Sequence, residues 1–212
     1  TFTGWSSTSG TINEQTSITA NFSRTANTYT VKYNGNGSNG GSTASSTHTY
    51  DVAKNLTSNG FTRKYTVTYN HNYTGSTNTS KTATYTFKNW NTKTDGSGTT
   101  YANSASVTNL ATSGTFKLYA QWTSASVTYV PTRTGYTFGG WYTEAGCTTQ
   151  KVGTNGVFTP NANITLYAKW TANTYTVKYN GNGSTGGSTA SSSHTYNAAK
   201  ALTANGFTRA YT

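Results

Sequence analysis

Few side chains in this 212-residue chain can do acid–base or nucleophilic chemistry. The carboxylates are Glu14, Asp51, Asp95 and Glu144, the imidazoles are His48, His71 and His194, and the one thiol is Cys147. Glycoside hydrolysis needs two carboxylates facing one bond. A zinc site needs three or four His, Cys or carboxylate ligands at close spacing. Neither pattern occurs, and there is no nucleophile elbow. His48 and His194 hold equivalent places in two copies of a repeat, yet Asp51 beside the first becomes Asn197 beside the second. A catalytic or metal-binding pair would not survive that exchange. The chain is expected not to be an enzyme and to need no metal or cofactor.

Two local patterns bear on more specific chemistry. Gly35-Asn36-Gly37-Ser38-Asn39-Gly40 fits a GxGxxG phosphate loop, as does Gly181–Gly186. Such a loop must open an apolar helix whose N-terminus meets the phosphate. A polar, strand-like STASSTHTY follows instead, so the glycines are read as a turn. Cys147 and Gln150 stand three apart, the spacing for an internal thioester.

Composition narrows the class. Charged residues are 9% of the chain and aromatics 14%, with 17 Tyr and 5 Trp at a mean hydropathy of −0.64. Leu and Glu are scarce while Thr and Tyr abound, which disfavours a helical bundle and favours strands. The aromatic content argues against disorder. No run of about 18 apolar residues offers a membrane span. The net charge of +11 comes from 15 Lys and Arg against 4 acids. The bases are dispersed, unlike the clustered bases of a nucleic-acid-binding face. Anionic glycans or cell-envelope polymers remain as partners for such a charge.

What must position these residues is a repeat. Residues 27–66 and 173–212 align at an offset of about 146, and roughly 33 of 40 positions are identical. Thr-Phe-x-x-Trp recurs at Thr1–Trp5, Thr86–Trp90 and Thr137–Trp141. Leu-Tyr-Ala-x-Trp recurs at Leu118–Trp122 and Leu166–Trp170, with a degenerate copy at Ile18–Phe22. Trp5, Trp90, Trp122, Trp141, Trp170 and Phe22 are therefore expected to be core positions of recurring modules. The chain parses as the closing half of a repeat (1–26), a complete long repeat (27–124), a short repeat (125–172) and the opening half of a long repeat (173–212). It reads as a window within a longer polypeptide. The segment Val67–Tyr85 stands out as an extra hairpin of the long repeat, without counterpart elsewhere. The short repeat in turn lacks most of an opening hairpin.

Alternation predicts strands at Thr28–Tyr33, Thr47–Tyr50, Tyr65–Tyr69, Lys81–Phe87 and Phe116–Trp122. Asn34–Gly37, Gly75-Ser76 and Asp95–Gly98 read as turns. Val52–Leu56 reads as one or two helical turns stopped by Asn59-Gly60. The sum is a mostly β chain of small modules with at most one short helix each.

Pro131–Gln150 (PTRTGYTFGGWYTEAGCTTQ), followed by Asn163–Trp170 (NITLYAKW), resembles the internalin-type B repeat, also called the Listeria–Bacteroides repeat. NGFTR, WNTKTDGSGTTYA and LYAQW in the long copy resemble a longer version of it. The resemblance implies tandem β-grasp, ubiquitin-like modules, each a short mixed sheet. It implies a place in secreted or wall-attached bacterial surface proteins, as stalk, spacer, fibre-forming or adhesive segments. The expected partners are neighbouring repeats or identical subunits in a fibre. A glycan- or host-protein-binding module of an adhesin is the second expectation.

Overall fold

The computed structural model describes residues 1–7 and 9–210. The last two positions of the 173–212 segment lie outside the described residues. All regular structure among the described residues is β. The chain divides into two units, one of residues 1–63 and 85–123, the other of residues 64–84 and 124–212.

The first unit centres on a five-stranded mixed sheet. Its order is Thr100–Tyr101, Phe87–Asn91, Gly114–Trp122, Thr28–Asn34 and Ser46–Thr49. The two middle strands run parallel, with Phe116 beside Val31 and Leu118 beside Tyr33, and the other pairs are antiparallel. Period-two alternation sets the faces. Tyr29 and Val31 go into the core with Leu56, Trp90, Val107, Leu118 and Ala120, while Lys32 points to solvent. Each large apolar side chain so buried contributes about 2–3 kcal/mol.

The expected helix at Val52–Leu56 is absent. Val52 N–H closes a turn on the Thr49 carbonyl (3.2 Å), and Asp51 sits at φ +63°. A left-handed residue there is incompatible with starting a right-handed helix. Lys54–Asn55 then pairs with Ser106–Val107, and Leu56 enters the core from an extended chain. Asn59-Gly60 is not a helix stop. Asn59 Oδ1 accepts from Phe61 N–H (3.1 Å), a turn that leads into the next strand. Gly60 packs against the short Gly40–Gly41 strand. A Cβ on Gly41 would lie 2.0 Å from the Gly60 carbonyl oxygen, so the crossing excludes any side chain.

The second unit repeats this plan. Its main sheet runs Gln150–Val152, Tyr136–Tyr142, Ile164–Ala172, then the Val67–Asn70 part of strand Phe61–Asn70, with Thr79–Tyr85 alongside. Ile164–Ala172 again runs parallel to its neighbour, Ile164 beside Val67 and Leu166 beside Tyr69. The core residues Val67, Tyr69, Trp141, Leu166 and Ala168 are fully buried.

One sequence expectation is corrected here. Val67–Tyr85 is not an extra hairpin of the long repeat without counterpart. Most of it is the opening hairpin of the following module. Two anomalies, a surplus hairpin in one repeat and a missing one in the next, are the same piece of chain.

Outside the two complete modules lie two partial ones. Phe2–Trp5 pairs with Ala20–Phe22 in the first unit. Thr174–Val177 pairs with Ser192–Thr195, and Gly186–Gly187 with Phe207–Thr208, in the second.

Candidate functional site

The recurrent construction in each module is a clamp where the opening strand ends. In the first unit, Asn36 follows strand Thr28–Asn34 at φ +46°. Its N–H donates to Asn34 Oδ1 (2.8 Å), and its Nδ2 donates to the carbonyls of Ala120 (2.9 Å) and Thr94 (2.8 Å). Trp122 Nε1 donates to the Gly35 carbonyl (2.9 Å). In the second unit Asn72, at φ +59°, does the same work. Its N–H donates to Asn70 Oδ1 (2.8 Å), and its Nδ2 to the carbonyls of Ala168 (3.1 Å) and Ala145 (2.9 Å). Trp170 Nε1 donates to the His71 carbonyl (2.7 Å). Asn suits this place because it tolerates positive φ and carries two donors on a short arm.

Behind each clamp an aromatic pair locks the sheet. Tyr33 and Trp90 have ring centroids 4.7 Å apart at 52°, and Tyr69 and Trp141 repeat both values. The polar ends differ. Tyr33 OH lies 3.2 Å from Ser46 Oγ and accepts from Thr57 N–H (2.8 Å). Tyr69 OH is buried without a partner among the described residues, and burial pushes its pKa up to about 12.

The predicted core aromatics therefore separate. Trp90 and Trp141 are fully buried, and Trp122 and Trp170 are half-buried with their N–H groups engaged. Trp5 and Phe22 are 55% and 73% exposed in this stretch of chain. They stack on Phe2 at 5.4 and 5.7 Å in a two-stranded hairpin, and two strands cannot enclose a core.

The reactive groups serve local structure. His48 is buried, stacks on Tyr29 (5.4 Å) and pairs through Nε2 with Ser46 Oγ (2.8 Å). Burial and then Lys54 lower its pKa. Glu144 Oε1 accepts from the N–H of Thr148 and of Thr149 (2.6 Å each), and Thr143 Oγ1 donates to Oε2. The Thr143 hydroxyl first, then the Thr149 N–H and the Thr148 hydroxyl, hold its pKa at about 2. Cys147 and Gln150 have separate neighbours. The sulfur accepts from Asn72 Nδ2 (3.5 Å) and faces the Ala168 carbonyl (3.6 Å), with burial raising its pKa. The Gln150 amide donates to the carbonyls of Val152 (3.4 Å) and Gly139 (3.5 Å). The glycine pattern at Gly35–Gly40 is a turn that leads into a strand. Among the described residues no group of three His, Cys, Asp or Glu is placed to hold a metal ion, and no helix is long and apolar enough to cross a membrane.

One open groove, of about 620 Å³, lies in the second unit between Tyr73, Arg133, Tyr136, Phe138 and Trp170. Sequence reasoning singled out Trp170 but missed Arg133. The guanidinium carbon lies 3.7 Å from the Tyr136 ring centroid and 4.6 Å from that of Tyr73.

Sheet order, clamp and aromatic pair define a tandem all-β repeat module of two interleaved copies. The family profile of the Listeria-Bacteroides repeat domain matches residues 57–121 and 119–169, more than half of the chain. The chain belongs to that family. No curated protein and no solved structure matches it.

Proposed function

We propose that this chain is a structural repeat segment of an extracellular bacterial surface protein, serving as stalk, spacer or fibre-forming element. The reading carries no enzymatic step. The supporting observation is the path of the chain. It leaves the first unit after Arg63, builds the opening hairpin of the second, returns at Tyr85 and leaves again after Thr123. Three chain crossings therefore link the two units, where a beads-on-a-string array has one. Each module pairs strands that a stretch of the other's sequence separates, so each module's fold spans part of the other's chain. That suits a segment that carries load. Each module is read as a β-grasp sheet, an opening and a closing hairpin with parallel central strands, in which extended chain takes the place of the helix.

Single-molecule stretching tests the reading. Pulled from its ends, residues 28–172 are expected to unfold in one event, gaining roughly 500 Å of contour. Two separable events of about half that length would overturn the load-sharing role.

A second reading, recognition of an anionic glycan, rests on the Arg133 groove. Aromatic faces offer stacking surfaces for sugar rings, and the guanidinium offers the charge. Titration with sulfated and neutral oligosaccharides decides it: binding of the sulfated form that Arg133→Ala abolishes supports it, and no binding ends it.

A further inference from the structure

The two complete modules differ at two positions that meet around one arginine. In the second module Tyr73 follows the clamp residue Asn72, where Gly37 follows Asn36 in the first. Lys169 stands in LYAKW where Gln121 stands in LYAQW. The arginine itself is common to both. Arg133 lies over Tyr136, 3.7 Å from the ring centroid, as Arg63 lies over Tyr85 at 4.6 Å. In the first module a Cβ on Gly37 would lie 3.4 Å from the Arg63 guanidinium carbon. In the second that side carries a ring. Tyr73 holds the Arg133 guanidinium at 4.6 Å, and Trp170 stands at 6.0 Å.

Stacking on ring faces fixes a guanidinium without using its N–H donors. Arg133 has no carboxylate within ion-pair distance and no acceptor for those donors among the described residues. Arg133 and Trp170 line the groove of about 620 Å³ and also a hollow of about 300 Å³, whose other walls include Asn72, Cys147 and Lys169. Lys169 is exposed, its ammonium 5.2 Å from the Tyr142 ring centroid and likewise without an acid partner among the described residues. Gln121, its counterpart, instead gives its amide to the carbonyls of Lys93 (3.1 Å) and Thr94 (3.3 Å). Glu144, in the same turn as Cys147, is already held by Thr143, Thr148 and Thr149. All the groove residues belong to the complete second module.

We propose that the groove and the hollow form one continuous site for an acidic glycan whose carboxylate or sulfate groups recur along its chain. One anion sits on the Arg133 fork and the next on the Lys169 ammonium. The guanidinium offers paired donors to an oxyanion, and the ammonium a point charge. Trp170, shared by both hollows, offers with Tyr73 and Phe138 the ring surfaces for the sugars that join the charges. An acidic peptide would gain the charges without that stacking. The first module, with Gly37 and Gln121 in these places, has neither the added ring nor the second charge. The site therefore belongs to the second module alone of the two.

This two-point site rests on the anionic-glycan reading and sharpens it to a ligand with recurring charges. Calorimetric titration of the 212-residue chain tests it. The probes are hexasaccharides that carry several sulfates, several uronate carboxylates, one sulfate or no charge, and a glutamate hexapeptide. The sulfated or the uronate hexasaccharide is expected to bind at least about tenfold more tightly than the singly charged one, and whichever does names the oxyanion. Lys169→Gln is expected to weaken the multiply charged probe about tenfold and leave the singly charged one unchanged, whereas Arg133→Gln weakens both. Arg133→Lys keeps the charge without the fork and is expected to fall between wild type and Arg133→Gln. Thermal transitions matching wild type show that the variants are folded. Equal binding of singly and multiply charged hexasaccharides, or no effect of Lys169→Gln, overturns the two-point site and leaves the anionic-glycan reading standing. Absence of binding by every charged hexasaccharide overturns both. A glutamate hexapeptide that binds as tightly as the hexasaccharides overturns the glycan as occupant.

Discussion

Asn72 Nδ2 bridges from the turn after one strand to the Ala168 carbonyl in the strand that runs parallel to it, 3.1 Å away. A parallel pair cannot be closed by a hairpin, so here a single side chain ties the turn to the neighbouring strand. The same atom also reaches the Ala145 carbonyl at 2.9 Å.

Asn72→Ala should therefore cost twice over. It removes two donors from carbonyls and places an ordinary side chain at φ +59°. Each lost bond is worth about 1 kcal/mol and the backbone misfit about another 1 kcal/mol. Asn72→Gly keeps the backbone and should lose only the bonds. Denaturant titration is expected to rank wild type above Gly above Ala. Equal midpoints for Gly and Ala would show that the turn's left-handed geometry contributes nothing.

The two buried tryptophans make a paired test. Trp141 Nε1 donates to the Tyr129 carbonyl (2.9 Å), whereas Trp90 Nε1 is buried without a partner among the described residues. Both lose the same packing on replacement by Phe. Only Trp141→Phe also strands a carbonyl. It should be the more destabilising of the two by about 1 kcal/mol, read from thermal or denaturant unfolding. A larger loss at Trp90 would mean that its N–H has found a partner.

His48 sets an acid limit on the first unit. Its folded pKa lies below 6.5, from burial first and Lys54 second. The unfolded chain then binds the proton more readily than the fold does. Stability is flat above about pH 6.5 and falls as pH drops from there to the folded pKa. His48→Phe retains the stack on Tyr29 and leaves Ser46 Oγ its contact with Tyr33 OH. The variant's melting temperature should lose the downward slope that wild type shows as pH falls below 6.5. An unchanged slope would assign the acid sensitivity elsewhere.

The repeats, strands and turns were legible because alternation, Asn-Gly pairs and recurring Trp are local signals. Strands Thr28–Asn34 and Gly114–Trp122 and the hairpin tip at Gly75 lie where they were expected. The helix at Val52–Leu56 was misread because the left-handed Asp51 leaves no local mark in the sequence. At Trp5 and Phe22 the motif reports pairing register, which the pairing of Trp5 with Ala20 and Phe2 with Phe22 repeats, while burial depends on what lies above the sheet. The interleaving was written in the chain and passed over. Tyr65–Asn70 reads YTVTYN beside YTVKYN at Tyr29–Asn34, but a repeat sought at an offset of about 146 hides one at a quarter of that distance.

Excision of the 64–84 segment tests the interleaving itself. Arg63 already lies over the Tyr85 ring, 4.6 Å from its centroid, so joining these residues directly asks little of the first unit. If the segment were a surplus hairpin of the long repeat, its removal would leave the Trp141 module as folded as before. In the observed topology the loss strips Val67 and Tyr69 from the core of Trp141 and Leu166, and leaves strand Ile164–Ala172 with one bare edge. Losing two fully buried side chains of that size costs several kcal/mol, most of the stability of a small module. Amide exchange is expected to show Leu118 and Ala120 still protected and Leu166 and Ala168 exchanging near the unfolded rate. Protection retained at Leu166 would refute the shared hairpin.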